Sequence, residues 1–169
     1  LSKCPRLSNL IPLASCFKLT KIDMHTCPSM MDVYFVSKCP NLEIISFMNC
    51  SSLSDLDGIQ SCKKLRRLII TNCTVLDLSP LTDCTSLTVL RYNKNSLQNL
   101  DTLTSTSLQE LYLDESKIVS LVGLDKCPNL NVLSLIQCDE LMDISSVGSC
   151  LNLISLTING CINLASLSG

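Results

Sequence analysis

The chain has 169 residues, with 13 basic and 15 acidic side chains, a net charge of -2 and 46% hydrophobic content. A pI near 5.3 provides no overall positive field for a polyanion, so nucleic acid is not an expected partner. Aromatic residues make up 4% and tryptophan is absent, so burial has to come from Leu, Ile, Val and Met rather than from large rings closing a compact centre.

Residues 1–15 carry Cys4, Leu7, Leu10 and Leu13 at steps of three, which is the second half of a unit whose first half is missing. From there the sequence repeats. Units open at Cys16, Cys39, Cys62, Cys84, Thr106, Cys127 and Cys150, at steps of 23, 23, 22, 22, 21 and 23. A second marker recurs inside each unit at Cys27, Cys50, Cys73, Asn95, Ser116, Cys138 and Cys161, and Cys4 is its copy in the incomplete one. A period in this range is the signature of a solenoid, in which each coil buries its apolar face only by stacking on its neighbours.

In the first full unit, Leu19, Ile22 and Met24 are the strand positions, and Met30, Val33 and Val36 belong to the return. The second uses Leu42, Ile45 and Phe47, then Leu53, Leu56 and Ile59; its CPNLEIISF overlays CPNLNVLSL of the unit at Cys127. The third is the clearest copy, with Leu65, Leu68 and Ile70 followed by Val75, Leu78 and Leu81 at steps of three. In the fourth the return runs Asn95, Leu97, Leu100 and Leu103, and one residue is missing around Ser105 to Ser107 before Leu108, Leu111 and Leu113 resume the strand. The last two units place Leu130, Leu133 and Leu135, then Leu153, Leu156 and Ile158, with Leu164 and Leu167 beginning a final return. Triplet spacing predicts 3₁₀ or extended returns, since a 3₁₀ turn brings every third side chain inward and a full α-helix needs more residues than these units hold. The chain reads as an internal fragment of a longer solenoid, one domain over 1–169.

The pattern LxxLxLxx(C/N/S) resembles the leucine-rich repeat, and TVLDLSPL is similar to the short repeats of bacterial internalins and of phosphatase-regulator proteins. The resemblance implies an α/β solenoid. It would be a horseshoe of about seven to eight coils, with a single parallel sheet on the concave face and short 3₁₀ or extended returns on the convex face. It further implies a non-catalytic protein-protein interaction scaffold. A structural constituent of a large multi-protein assembly is the alternative, and a phosphatase-regulatory subunit binding a catalytic subunit is the second.

The 12 cysteines fall into two columns with none left over. Stacked side chains on parallel strands lack the Cβ geometry of a disulfide, so the thiols are expected to be reduced, in a cytoplasmic protein. No CxxC occurs and His25 is the single histidine, so neither a metal nor another cofactor is expected. Two sequons, at Asn49 and Asn72, coincide with the repeat marker. A catalytic set would have to be built around His25, on a strand with no pocket. No apolar run reaches the ~20 residues that cross a bilayer, so membrane insertion is not expected.

Protein partners are therefore expected on the outward strand positions. These run from Lys21, Asp23 and His25 on the first strand to Ser155, Thr157 and Asn159 on the last, with Thr26, Asn49, Asn72, Lys94, Glu115, Gln137 and Gly160 closing each set. Among them Ile44, Met48, Ile69, Val89, Tyr112, Val132 and Ile136 form an apolar seam that solvent does not require. Arg67, Arg91 and Lys94 form a basic patch that meets Glu110, Asp114 and Glu115 one repeat later. They either pair with one another or orient a partner. Tyr112 is the expected anchor, with Ile44, Met48, Arg67, Ile69, Arg91, Asp114, Val132 and Ile136 around it.

Overall fold

The computed structural model describes residues 1–165, so Leu167 lies outside the described residues. Seven strands follow one another: β1 (Lys21–His25), β2 (Ile44–Met48), β3 (Arg67–Thr71), β4 (Val89–Asn93), β5 (Glu110–Tyr112), β6 (Val132–Ile136) and β7 (Ser155–Asn159). They form one sheet in sequence order, every pair parallel. Lys21 pairs with Ile44, Ile44 with Arg67 and Arg67 with Val89, so equivalent positions of successive repeats lie side by side. At the first edge, Leu1 to Lys3 run beside β1, where the Lys3 N–H donates to His25 O at 2.9 Å.

Inward strand residues stack into two buried rows. One holds Ile22, Ile45, Leu68, Leu90, Leu111 and Leu133; the other holds Met24, Phe47, Ile70, Tyr92, Leu113 and Leu135. The returns add rows such as Val33, Leu56, Leu78, Leu100, Leu121 and Ile144. Fully burying each such side chain contributes about 1.5–3 kcal/mol before chain entropy is counted. Tyr92 occupies a place where other coils put aliphatic residues or Phe47. Its hydroxyl donates to Val75 O in the return of the preceding coil.

Each strand is followed by a left-handed residue: Thr26, Asn49, Asn72, Lys94, Glu115, Gln137 and Gly160 have φ between 53° and 69°. These are the closing positions of the outward sets. They are turn residues rather than extended strand, and the N–H of Thr26, for example, donates to Met48 O at 2.8 Å in the next coil. The backbone thereby turns inward at the marker. Asn95 Nδ2 donates to Ile70 O and Asn93 O, both at 2.9 Å, while its Oδ1 accepts the Cys73 N–H at 2.9 Å. Cysteine markers copy the donor half of this arrangement, as when Cys138 Sγ reaches Leu113 O at 3.2 Å and Ile136 O at 3.9 Å.

The returns contain 3₁₀ turns at Ile11–Ser15, Tyr34–Lys38, Ile59–Ser61, Ser79–Asp83, Leu124–Lys126 and Ser145–Ser149. Many open on an Asn or Asp whose Oδ1 accepts a backbone N–H two residues on: Asn9 to Ile11, Asp32 to Tyr34, Asp77 to Ser79 and Asp143 to Ser145. Such side chains mimic a backbone turn, and sequence reasoning passed over this column.

Residues 94–104 have no 3₁₀ turn. Elsewhere three residues separate the last return apolar position from the next coil's opening, as from Leu81 to Cys84; here only two separate Leu103 from Ser105. The buried opening position of the fifth coil is thus Ser105, 3% exposed, and not Thr106, which is exposed. The spacing of three to the following strand leucine, Ser105 to Leu108 as Cys84 to Leu87, gives the physical reason. The lost residue belongs to the return, not to the turn at 105–107.

Candidate partner-binding face

Register sorts the outward side chains of the sheet into three rows. The first runs Lys21, Ile44, Arg67, Val89, Glu110, Val132 and Ser155. The second runs Asp23, Ser46, Ile69, Arg91, Tyr112, Ser134 and Thr157. The third holds His25, Met48, Thr71 and Asn93, then Ile136 and Asn159, with Asp114 in the gap left by the short β5.

Most of the expected seam is partly exposed, but Val89 is not: flanked in register by the long Arg67 and Glu110, it is only 7% exposed and offers no contact surface. Without it the seam becomes two clusters, Ile44, Met48 and Ile69 on β2 and β3, and Tyr112, Val132 and Ile136 on β5 and β6. Ser46 and Ser134, between larger neighbours, are also buried.

Tyr112 sits at the boundary between the clusters. The Arg91 guanidinium lies 4.1 Å from its ring centroid, a cation–π contact across adjacent strands, and the phenol donates to Glu110 Oε2 at 2.9 Å. Partial burial first, then the Glu110 carboxylate, push the phenol pKa up, so Tyr112 remains a donor. The ring is held on one side by a charge and at its tip by a hydrogen bond, which removes rotamer freedom before any partner arrives.

The two charged patches are partly joined. Lys94 Nζ lies 2.9 Å from Glu115 Oε2, a half-exposed pair worth about 0–1 kcal/mol. Asp114 is committed to the sheet rather than displayed: its Oδ1 accepts from Ser134 Oγ at 2.7 Å and from the Ile136 N–H at 3.1 Å. Asn93 Oδ1 in turn accepts the Asp114 N–H at 3.2 Å. Two side chains thus replace backbone ladder bonds where β5 stops. Arg67 is exposed and makes no ion pair among the described residues. His25 lies at the other end of the face, with Nε2 2.7 Å from Asp23 Oδ1.

All 12 thiols are free, and nine of them are buried. Among the described residues no helix is long and apolar enough to cross a membrane.

No protein-family model matches the chain, and no curated protein matches it by sequence. Solved structures do. The leucine-rich repeat domain of the type III effector XopL superposes with a TM-score of 0.76 at 20% identity, covering 98% of this chain and 69% of that one. Internalin C2 from Listeria monocytogenes str. 4b F2365 gives 0.69 at 22% identity over 89% of this chain. The chain has the leucine-rich-repeat fold. A third leucine-rich repeat structure, the plant peptide hormone receptor RGFR1 in complex with RGF2, gives 0.61 at 19% identity over 95% of this chain. The solenoid spans 66% of the internalin C2 chain and 30% of the receptor chain, and the likeness at these identities is one of fold.

Proposed function

We propose that this leucine-rich repeat solenoid is a non-catalytic protein-binding scaffold whose concave sheet holds one partner. The observation that carries the reading is the pair of partly exposed apolar clusters, the second of them edged by a braced aromatic, on a face whose backbone is fixed by an in-register ladder. Apolar surface of this kind on a rigid sheet is a protein contact more often than a solvated surface. The receptor neighbour, solved with RGF2, supports a binding role for such a solenoid. Free thiols throughout the stack support a reducing compartment, the cytoplasm.

Tyr112 is the anchor in this reading and Arg67 the steering charge. Pull-down with the chain followed by mass spectrometry identifies a stoichiometric partner, and titration calorimetry then measures its affinity. Tyr112→Ala should weaken that complex by roughly 2 kcal/mol, about 30-fold, without lowering the melting temperature. Arg67→Glu should instead slow association and flatten its salt dependence. Unchanged affinity in Tyr112→Ala would remove the concave face from the proposal.

A further inference from the structure

A second surface lies on the opposite side of the solenoid. The first two 3₁₀ turns, with the return of the next coil beside them, enclose a groove of about 650 Å³. Ile11 and Tyr34 stand in it 73% and 63% exposed. The chain has only three tyrosines: Tyr92 is in the core and Tyr112 is braced on the sheet, whereas Tyr34 has no side-chain hydrogen bond among the described residues. Its backbone is firmly seated, because Gly58 of the next coil packs against it; a Cβ there would come 3.0 Å from Tyr34 O.

The rim is acidic. Asp32, Asp55 and Asp57 line the groove against a single Lys38, and none of the four makes an ion pair among the described residues. An apolar floor with an exposed aromatic calls for an apolar side chain, and unneutralised carboxylates around it call for positive charge beside that side chain. Tyr34 also offers a ring face to a guanidinium. We propose that this convex groove docks a basic segment of a partner protein, one apolar side chain entering beside Tyr34 while flanking Lys or Arg residues meet Asp32, Asp55 and Asp57.

The rim charge can be removed without disturbing the turns that carry it. Asp32 and Asp55 each accept a backbone N–H, at 3.2 and 2.7 Å, but Asn9 and Asn99 accept the equivalent bonds at 3.0 and 3.1 Å. Asparagine therefore keeps the local fold and deletes the charge. The test uses the whole chain and a fluorescein-labelled dodecapeptide in which one leucine and one tryptophan stand among lysines and arginines, followed by fluorescence anisotropy at physiological salt. Saturable binding is expected. Asp32→Asn, Asp55→Asn and Asp57→Asn combined should weaken it about tenfold, as three exposed ion pairs would. Tyr34→Ala should weaken it by a similar factor, while Tyr112→Ala leaves it unchanged. A double control elsewhere on the surface, Asp139→Asn with Glu140→Gln, should have no effect, and a glutamate-rich counterpart peptide should not bind. Absence of saturable binding overturns the proposal, as does an undiminished affinity in the triple variant. Equal weakening by the remote control, which would mean diffuse attraction to an acidic protein, also overturns it, as does loss of binding in Tyr112→Ala. Thermal melts by circular dichroism accompany every variant; should Tyr34→Ala melt early, the triple asparagine variant decides alone.

Discussion

Replacing asparagine with cysteine at the marker trades hydrogen bonds for apolar fit. Asn95 satisfies two carbonyls and one N–H, whereas Cys50 offers Met48 O and Met24 O only long S–H contacts of 3.6 and 3.9 Å. A thiol donates only while it keeps its proton. Burial pushes Cys62 up from an ordinary 9.0 to about 12, and Cys84, Cys127 and Cys138 up to about 11. The unfolded chain surrenders those protons near 9.0 while the folded chain cannot, so stability that is intact below that pH is lost as pH climbs toward 11 to 12. Each thiol contributes a slope of about 1.4 kcal/mol per pH unit in that window. Urea midpoints measured from pH 8 upward should fall steeply beyond about pH 9, and Cys62→Ala with Cys84→Ala should make the fall shallower. A flat profile would contradict burial of these thiols. The inward and outward alternation was legible in the sequence because Leu, Ile and Val mark one face so consistently. Val89 and Asp114 were not, since their exposure depends on what the neighbouring coils place beside them: long side chains over the first, and the Ile136 N–H, which the short β5 leaves for a side chain to accept, next to the second.

At the level of one coil, the triplet spacing foretold 3₁₀ returns, and six are present among the described residues. The coil without one escaped notice because a loss of one residue can be absorbed at either end of a return, and burial of Ser105, with its spacing of three to Leu108, shows which. That coil makes a strict demand on its neighbour. Gly123 has φ +98° and lies against the backbone of Leu100, where an added Cβ would be 2.4 Å from the carbonyl oxygen. Gly123→Ala combines left-handed strain with a backbone clash that no rotamer relieves, and should cost about 3 kcal/mol or more. Gly148, inside a 3₁₀ turn with nothing within 4 Å of the place an alanine Cβ would take, makes the paired control. Gly148→Ala should stay within about 0.5 kcal/mol of the parent. Similar melting temperatures for the two would mean that the fifth coil does not approach the fourth this closely.

Across the whole molecule, each coil touches only its neighbours, so coils should be removable as units. Residues 39–61 form one coil, and β1 pairs with β2 in the same register as β2 with β3. Deleting all 23 residues would set Lys21 opposite Arg67 and Ile22 opposite Leu68, with every inward position still apolar. The shortened chain should melt cooperatively at a lower temperature by circular dichroism. Deleting only 39–49, the strand half, leaves a return with no strand to carry it and should abolish the cooperative transition. The opposite ranking would deny that the stack is modular. The repeat, the sheet and its order could all be read from the sequence because they are periodic. The groove beside Tyr34 could not, because it arises from side chains more than one period apart and from the close seat that Gly58 allows.

The missing 3₁₀ turn in the fourth coil has a geometric consequence for the arc. Bulky returns wedge coils apart on the outer rim while the sheet holds them at a fixed strand spacing of about 4.8 Å on the inner one, and the difference sets the bending radius. Over 94–104 that bulk is missing, and the next coil closes onto the return through Gly123. A return without a 3₁₀ turn wedges its coil less, and the Arg91–Tyr112 contact bridges the two strands that flank it, β4 and β5.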